Sequence, residues 1–370
     1  MNGPITAPQV INQNQLPDGV PVVDAYTSAL KELFSIEHPE LKREDPSRPA
    51  LLETFIQSNQ LPERFVYYPW RNVVMRTVDE QIYFKLRTAR NRTIITEAEQ
   101  AAYRECAVGV VGLSVGSSAI RALVASGGPR KLKIADFDDL EITNLNRISA
   151  GLPDVGQNKT DITARYVWEL DPDAQLELWR EGVTAENLEQ FITQPKLDVF
   201  VDEMDNLALK FQAREICRKA KVPVIMATDN GDSVILDVER FDLEPDREFF
   251  HGLVPGVTTD IVSHMPFQEW LRVATKIVGP DFLTDRMQQA IMSIGRTIIA
   301  VPQLGPTAAM AGAGIAYAVR AIANKADLPS GRYEYGLDST LVSGYNSPES
   351  VAQRQAVAEQ MKAVFSQPRS

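Results

Sequence analysis

A short apolar run that stops on a glycine and passes straight into a helix constrains this chain more than any other feature. Residues 107–111, AVGVV, are small and β-branched and read as a buried strand ending at Gly112. The loop GLSVGSS follows, and then AIRALVASGG, a helix closed by Gly127 and Gly128. The alternation continues. KLKIAD is a second strand that ends at Asp136, and a helix runs from Lys159 to Leu170, stopped by Asp171 and Pro172. LDVFVDE, from Leu197 to Glu203, is a third strand; LALKFQAREICRKA is a helix; VPVIMAT is a fourth strand, ending at Thr228. Strands alternating with helices predict an α/β fold with a Rossmann-like, mostly parallel sheet and helices on both faces. VILDVERFDLE suggests a further strand of antiparallel sense, and PQLGPTAAMAGAGIAYAVRAIANK a small-residue helix that packs in a core.

The flanks read differently. The first twenty or so residues are rich in Asn, Gln and Pro and read as a loose arm. Asp24 to Phe34 reads as an amphipathic helix, His38 to Pro49 as a charged loop, and Leu51 to Ile56 as the start of another helix. FVYYPWRNVVMRTV has strand-forming residues interrupted by Pro69. We therefore divide the chain into an N-terminal, mostly helical accessory region (1–85), a nucleotide-binding unit (86–330) and a polar helical tail (331–370).

The loop after the first strand admits more than one chemistry. A glycine lets backbone approach a phosphate, and the helix start offers free N–H groups and a positive dipole end. Asp136, at the end of the next strand, can accept hydrogen bonds from ribose hydroxyls. The loop is not G-x-G-x-x-G, however. Gly112 is in place, Ser114 stands for the second glycine, and Ser117 for the third with Gly116 beside it. On these features alone, an NAD-dependent dehydrogenase is one reading. Gly112 to Gly116 also spells G-x-S-x-G, the elbow of serine hydrolases, which would make Ser114 a nucleophile with His251 or His264 downstream. Against that, the elbow follows a mostly helical region and no HGGG-like segment precedes it.

The residues that follow favour a nucleoside triphosphate. ADFDDLEITNLNRI carries Asp136 and Asp138 at the strand end, then Asn144 and Arg147 three apart, which share a face in a helical turn. GQNK supplies Lys159 just before a helix, and DEMDN places Asp205 and Asn206 at the end of the third strand. Ligands of open parallel sheets bind outside these carboxyl ends. Two cations suit a triphosphate, one aspartate suits its magnesium and another suits ribose.

At DFDDLEITNLNR, GQNK and the later DN, the chain resembles the ThiF/MoeB/HesA family, whose fold recurs in ubiquitin-activating enzymes. The resemblance spans about residues 86–330. It implies that a carboxylate, usually a protein or peptide C-terminus, attacks the α-phosphorus of ATP to give an acyl-adenylate and pyrophosphate. By motif position it implies a nucleotide site of Gly112, Ser114, Gly116, Asp136, Asp138, Asn144, Arg147 and Lys159. Asp136 would hold ribose, and Asn144, Arg147 and Lys159 the phosphates, while Asp205 would bind magnesium. An arginine before the first strand, Arg90 or else Arg92 in RTARNR, would reach into a partner subunit's site, so the resemblance also implies a homodimer. The altered glycine loop leaves open a non-catalytic scaffold of the same fold.

Cysteine usage and charge narrow the chemistry further. Many members of the family carry paired CxxC zinc ligands and a catalytic cysteine, but this chain has two cysteines, Cys106 and Cys217, neither in such a position. No zinc, thioester or persulfide step is therefore expected, as in the cysteine-poor branch of the family. Lys210 also stands where an arginine usually follows DN, which keeps the charge but not the planar fork. With 49 acidic and 38 basic residues the net charge is −11, which argues against general binding to nucleic acid or anionic membrane. No signal peptide or membrane-spanning run is visible, so a cytoplasmic location is expected.

Overall fold

The computed structural model describes residues 5–59 and 61–366. Before the glycine loop it contains β1 (Gln9–Ile11), β2 (Val22–Asp24), α1 (Tyr26–Glu37), α2 (Arg48–Ser58), β3 (Glu63–Tyr68), β4 (Val73–Val78), α3 (Glu80–Arg87) and α4 (Glu97–Glu105). The α/β alternation then gives β5 (Ala107–Val111), α5 (Val115–Ala125), β6 (Lys131–Ala135), α6 (Lys159–Leu170) and β7 (Gln175–Trp179). It continues with α7 (Leu188–Thr193), β8 (Val199–Asp202), α8 (Leu207–Ala220), β9 (Val224–Asn230) and β10 (Ser233–Glu239). The remainder is α9 (Thr259–His264), α10 (Phe267–Val278), α11 (Asp285–Ser293), α12 (Gly305–Ala323), β11 (Gly331–Gly336), α13 (Leu337–Leu341) and α14 (Pro348–Ser366).

The main sheet has seven strands in the order β11-β10-β9-β8-β5-β6-β7. The run from β9 to β7 is parallel, as the alternation predicts. β10 pairs antiparallel with β9, in the sense VILDVE suggested, and β11 pairs antiparallel with β10. The sheet thus continues beyond residue 330, to Gly336. From β5 the chain winds to β6 and β7 on one side and then crosses to β8 and β9 on the other. The order reverses at β5 and β8, so a crevice opens at the carboxyl ends of these strands.

The core explains why these segments form. β8 is buried at every position, and Val108 and Val110 of β5 are fully buried beneath helices. Such strands read as continuous apolar runs because both faces are covered. α12 crosses α5 closely. A Cβ at Gly312 would sit 2.5 Å from the Ser118 carbonyl oxygen, so the small-residue run is a packing requirement. By contrast β7 alternates polar and apolar at the sheet edge, and the sequence reading passed over it.

The N-terminal region holds three helices and also a four-stranded sheet, β1-β3-β4-β2. Pro69 opens the 3-10 turn Pro69–Arg71 that joins β3 to β4 as an antiparallel hairpin. The expected loose arm is partly ordered: β1 pairs with β3, and Arg180 donates to the Ile5 carbonyl at 2.9 Å. The small sheet docks on the end of α6 remote from the crevice. Arg64 forks onto Asp173 (2.8 and 2.8 Å), and Trp70 and Arg71 both bond Glu169. Among the described residues, no helix is long and apolar enough to cross a membrane.

Candidate functional site

The glycine loop is fixed by steric and polar contacts together. Gly112 has φ +88°, and a Cβ there would lie 2.2 Å from the Glu203 carbonyl oxygen, so only glycine fits between β5 and β8. The amide of Leu113 then donates to Asp136 Oδ2 at 2.6 Å, while Asp136 Oδ1 accepts from the Asp138 amide at 2.8 Å. Asp136 is thus a clamp on the loop, yet each of its oxygens keeps a second lone pair. Burial pushes its carboxyl up, against the lowering effect of those two amides. Gly116 is buried against Val110, and Ser117 donates to the Ser114 carbonyl oxygen at 3.0 Å, closing the first turn of α5.

Arg147 and Ser114 meet across the crevice. Arg147 Nε donates to Ser114 Oγ at 2.8 Å, and Ser114 Oγ donates to Gln303 Oε1 at 3.3 Å. The remaining Arg147 contacts are with the Thr143 carbonyl and the Asn146 side chain. Burial lowers the pKa of Arg147, and Asp229 and then Asp205 act against that. Arg147 therefore lies in the field of two carboxylates from adjacent strands. The serine that replaces a loop glycine here holds this arginine. That arrangement also answers the hydrolase reading, because the neighbours of Ser114 are an arginine and a glutamine. His251 is bonded to Asp237 and Arg247, and His264 is exposed on α9.

The other expected residues divide. Lys159 starts α6, is 7% exposed, and pairs with Asp138 at 2.7 Å, with Asp138 half exposed beside the crevice. Asp205 is exposed just beyond β8, and Asn206 is the residue that caps α8, through the Leu209 amide at 3.1 Å. The Asp205 carboxylate is not used as the helix cap, which suits an oxygen ligand for a divalent cation. Among the described residues there is no cluster of three or more His, Cys, Asp or Glu side chains arranged to hold a metal. A magnesium site here would rest on one carboxylate plus the phosphates of a nucleotide.

One expectation is corrected. Asn144 and Arg147 do not share one helical turn, because the 3-10 turn Ile142–Asn144 ends at Asn144 and Arg147 lies in the turn beyond it. Asn144 is buried and its side-chain oxygen accepts from the Glu141 amide at 3.0 Å, while Arg147 reaches into the crevice. Arg90 is not beside the crevice of its own chain. It sits in the 3-10 turn Ala89–Asn91, where Asn91 donates to the Ser126 carbonyl at the C-terminal end of α5. That end is a helix length, about 16 Å, from the glycine loop. Arg90 and Arg92 are thus remote from the site within one chain; Arg92 faces Glu97 at 3.5 Å.

Sequence reading missed Asp229, Glu203 and Gln303. Glu203 is half-buried under the loop and accepts from the Ala227 amide at 2.8 Å, and burial pushes its carboxyl well above the usual range. Asp229 is next to last in β9 on the crevice side and is 6% exposed, with the Gln303 side chain as the one donor close to its otherwise unbonded oxygens. Burial lifts its carboxyl to about 6, and Arg147 and the Gln303 carboxamide only partly offset this. A signal for Asp229 existed: a buried apolar run ending in an acid, as at Asp136. Gln303, on a loop far along the chain, carried none.

The two thiols are packing residues. Both are buried, and burial pushes Cys106 up to about 12 and Cys217 well above its ordinary value. That is the wrong direction for a thiolate relay. Lys210 points beneath the sheet, to Asp202 (3.1 Å) and Met226.

Comparison with known proteins gives a consistent family. The model of the ThiF family matches residues 88–325. The "Uncharacterized protein MT1398" of Mycobacterium tuberculosis (strain CDC 1551 / Oshkosh) is 36% identical over 279 residues, 75% of this chain and 38% of that protein. The tRNA threonylcarbamoyladenosine dehydratase of Bacillus subtilis (strain 168) is 31% identical over 165 residues, 42% of this chain and 64% of the enzyme. This chain therefore spans less than two thirds of the length of either relative. A crystal structure of Escherichia coli MccB with ATP overlays with a TM-score of 0.48 at 16% identity, covering 84% of this chain and 83% of that one.

Proposed function

This chain belongs to the ThiF family, and on that premise we propose that its crevice binds ATP and magnesium and adenylates a carboxylate. The observation that carries the reading is the placement of Arg147 against Ser114 of the glycine loop, at the reversal of strand order. Asp136 is suited to a ribose through its remaining lone pairs, and the Ser114 side of the loop with Arg147 and Lys159 to the phosphates. Magnesium, when bound at Asp205, would neutralise charge on the triphosphate.

In this reading a substrate carboxylate oxygen attacks the α-phosphorus. The new bond is acyl O–P, the bond to the bridging oxygen breaks, and pyrophosphate leaves with the electron pair. No side chain needs to act as nucleophile. Arg147 and Lys159 provide fixed positive charge where negative charge accumulates, and the backbone of the loop aligns the phosphates. Lys159 exchanges part of its bond to Asp138 for a phosphate oxygen. The acyl-adenylate passes to an external nucleophile, since neither thiol can take it. The carboxylate comes from a peptide, a carrier protein or a small acid. Arg90 fits the site of a second copy in a homodimer, in keeping with its distance from its own crevice.

Calorimetric ATP binding, with and without magnesium, tests the reading. Wild type is expected to bind ATP. Arg147→Ala is expected to lose about tenfold to a hundredfold in affinity through lost charge-assisted bonds. Asp205→Ala should lose only the magnesium-dependent part. Wild type that does not bind ATP sinks the proposal, and pyrophosphate exchange with peptide acids then separates an enzyme from a scaffold.

A further inference from the structure

One residue far along the chain reaches the guanidinium of Arg147 by two routes. Through its side chain, Gln303 Oε1 accepts from Ser114 Oγ at 3.3 Å, and Ser114 Oγ accepts from Arg147 Nε at 2.8 Å. Through its backbone, the Gln303 carbonyl accepts from Asn146 Nδ2 at 2.7 Å, and Asn146 Oδ1 accepts from Arg147 Nη1 at 3.0 Å. Nη1 also donates to the Thr143 carbonyl at 3.2 Å. Nε and Nη1 are therefore committed, and Nη2 has no partner among the described residues.

The ends of each route fix its sense. A guanidinium only donates, and an ionised carboxylate only accepts. Arg147 takes a lone pair of Ser114, so the serine proton turns to Gln303 Oε1. The Gln303 nitrogen is left for Asp229, which stands beside that carboxamide at the far end. Along the other route, Asn146 has to give its oxygen to Arg147 and its nitrogen to the Gln303 carbonyl. Bonds aligned in one sense polarise one another, so the chain from Asp229 to Arg147 acts as a unit.

The backbone is built to keep Gln303 in this place. Its neighbours Pro302 and Leu304 are exposed, while Gln303 is turned inward and half-buried. A Cβ at Gly305 would lie 2.6 Å from the Asn146 carbonyl oxygen, so α12 begins in contact with the backbone that carries Arg147. The serine in the glycine loop has a use here as well: a glycine at 114 would leave the side-chain route without its middle link.

We propose that Gln303 is a positioning residue that sets the guanidinium of Arg147 so that Nη2 meets a phosphate oxygen of the nucleotide. The inference rests on the adenylation reading. Gln303 itself touches no reacting atom and acts through Ser114 and Asn146. An arginine side chain has much rotamer freedom to lose on binding, and a guanidinium held in place beforehand has already lost it.

Calorimetric titration of the full chain with ATP and magnesium at pH 8, where Asp229 is ionised, tests this with four variants. Gln303→Met keeps the size of the side chain and cuts the side-chain route, and should lose about fivefold to tenfold in ATP affinity. Arg147→Ala should lose at least as much. Adding Gln303→Met to Arg147→Ala should cost less than about twofold more, because the guanidinium it serves is gone. Gln303→Glu combined with Asp229→Asn exchanges donor and acceptor at the far end and keeps the net charge. The new amide donates to the new carboxylate, which still accepts from Ser114, so this pair should bind ATP within about threefold of wild type. Wild-type affinity in Gln303→Met overturns the proposal. Additive losses with Arg147→Ala also overturn it, by placing Gln303 on the nucleotide directly, as does an exchanged pair no better than Gln303→Met. Failure of wild type to bind ATP is a different result: it removes the adenylation reading itself.

Discussion

Two buried groups of charge lie on opposite sides of β8 and β9, and they are built on opposite principles. Beneath the sheet, Arg214 is fully buried and bonds Asp202 at 2.6 Å and Glu239 at 2.7 Å, with its guanidinium 3.8 Å from the centre of the Phe250 ring. The remaining acceptors are taken as well. Met204 N–H and Lys210 serve Asp202, and Phe250 N–H serves Glu239. In the crevice, Asp229 is almost as buried, and only the Gln303 side chain and the charge of Arg147 stand against its burial. A saturated buried cluster is structural, because nothing in it is left for a ligand. An unsaturated one is costly to keep in the free protein, and that cost is the mark of a binding wall.

The largest expected effect breaks the saturated side. Arg214→Ala leaves Glu239 buried without its cation and Asp202 with Lys210 alone, and should destabilise the protein by about 3–5 kcal/mol. Urea unfolding measures this; a loss below about 1 kcal/mol would mean the cluster is not structural.

Next, the two sides should respond to pH with opposite sign. Burial raises the Asp229 carboxyl from 3.8 to about 6. The folded state therefore binds the proton more tightly than the unfolded state, and stability falls as pH rises from about 4 through about 6. The cost is roughly 3 kcal/mol at pH 8. Asp229→Asn should recover most of it at pH 8 and almost none at pH 4, as measured by unfolding midpoints. A variant less stable than wild type at pH 8 contradicts this. For Asp202, burial pushes the carboxyl up, but Lys210 and Arg214 outweigh it and hold it below 3.8. Its contribution is present above the unfolded value and lost as pH falls through the lower folded one.

A smaller effect sharpens the contrast at Lys210. Lys210→Met removes one of the cations on Asp202 and leaves Arg214 in place. It should cost about 1–2 kcal/mol and change ATP affinity by less than about threefold. A strong loss of ATP binding would show that Lys210 serves the crevice after all. The smallest effect is on the thiols. Native protein should resist iodoacetamide at Cys106 and Cys217, and replacing both by Ala should leave ATP affinity within about twofold. Rapid labelling of either thiol in the folded protein would reopen a cysteine step.

Much of this was legible in the linear chain, and the reasons are local. The helices from Lys159 and from Leu207 fall where their caps and periodicity put them, Asn158 and Asn206 being the caps. β5, β6, β8 and β9 were visible because strands covered on both faces are written as unbroken apolar runs. Short exposed strands such as β2, and the half-polar edge strand β7, carry no such signature and were missed. Gly112, Asp136, Arg147, Lys159 and Asp205, named from motif spacing, lie on or just beyond the carboxyl ends of β5, β6 and β8 or at the start of α6. Asn144 and Arg147 read as one helical turn because spacing alone does not show that the turn stops at Asn144.

What the sequence determined by itself is the alternation of elements, the reversal-type α/β sheet it implies, and the family. All of these are properties of neighbours along the chain. What only the tertiary structure decided is which charges are answered. Ser114 meets Gln303 across 189 positions of sequence, and Arg147 and Asp229 come to one wall from different elements. Whether a carboxylate is paired or bare depends on the position and orientation of donors brought by distant segments, over distances of a few ångströms. No local pattern records that, so the setting of Asp229 beside Arg147 and Gln303 was visible only in the fold.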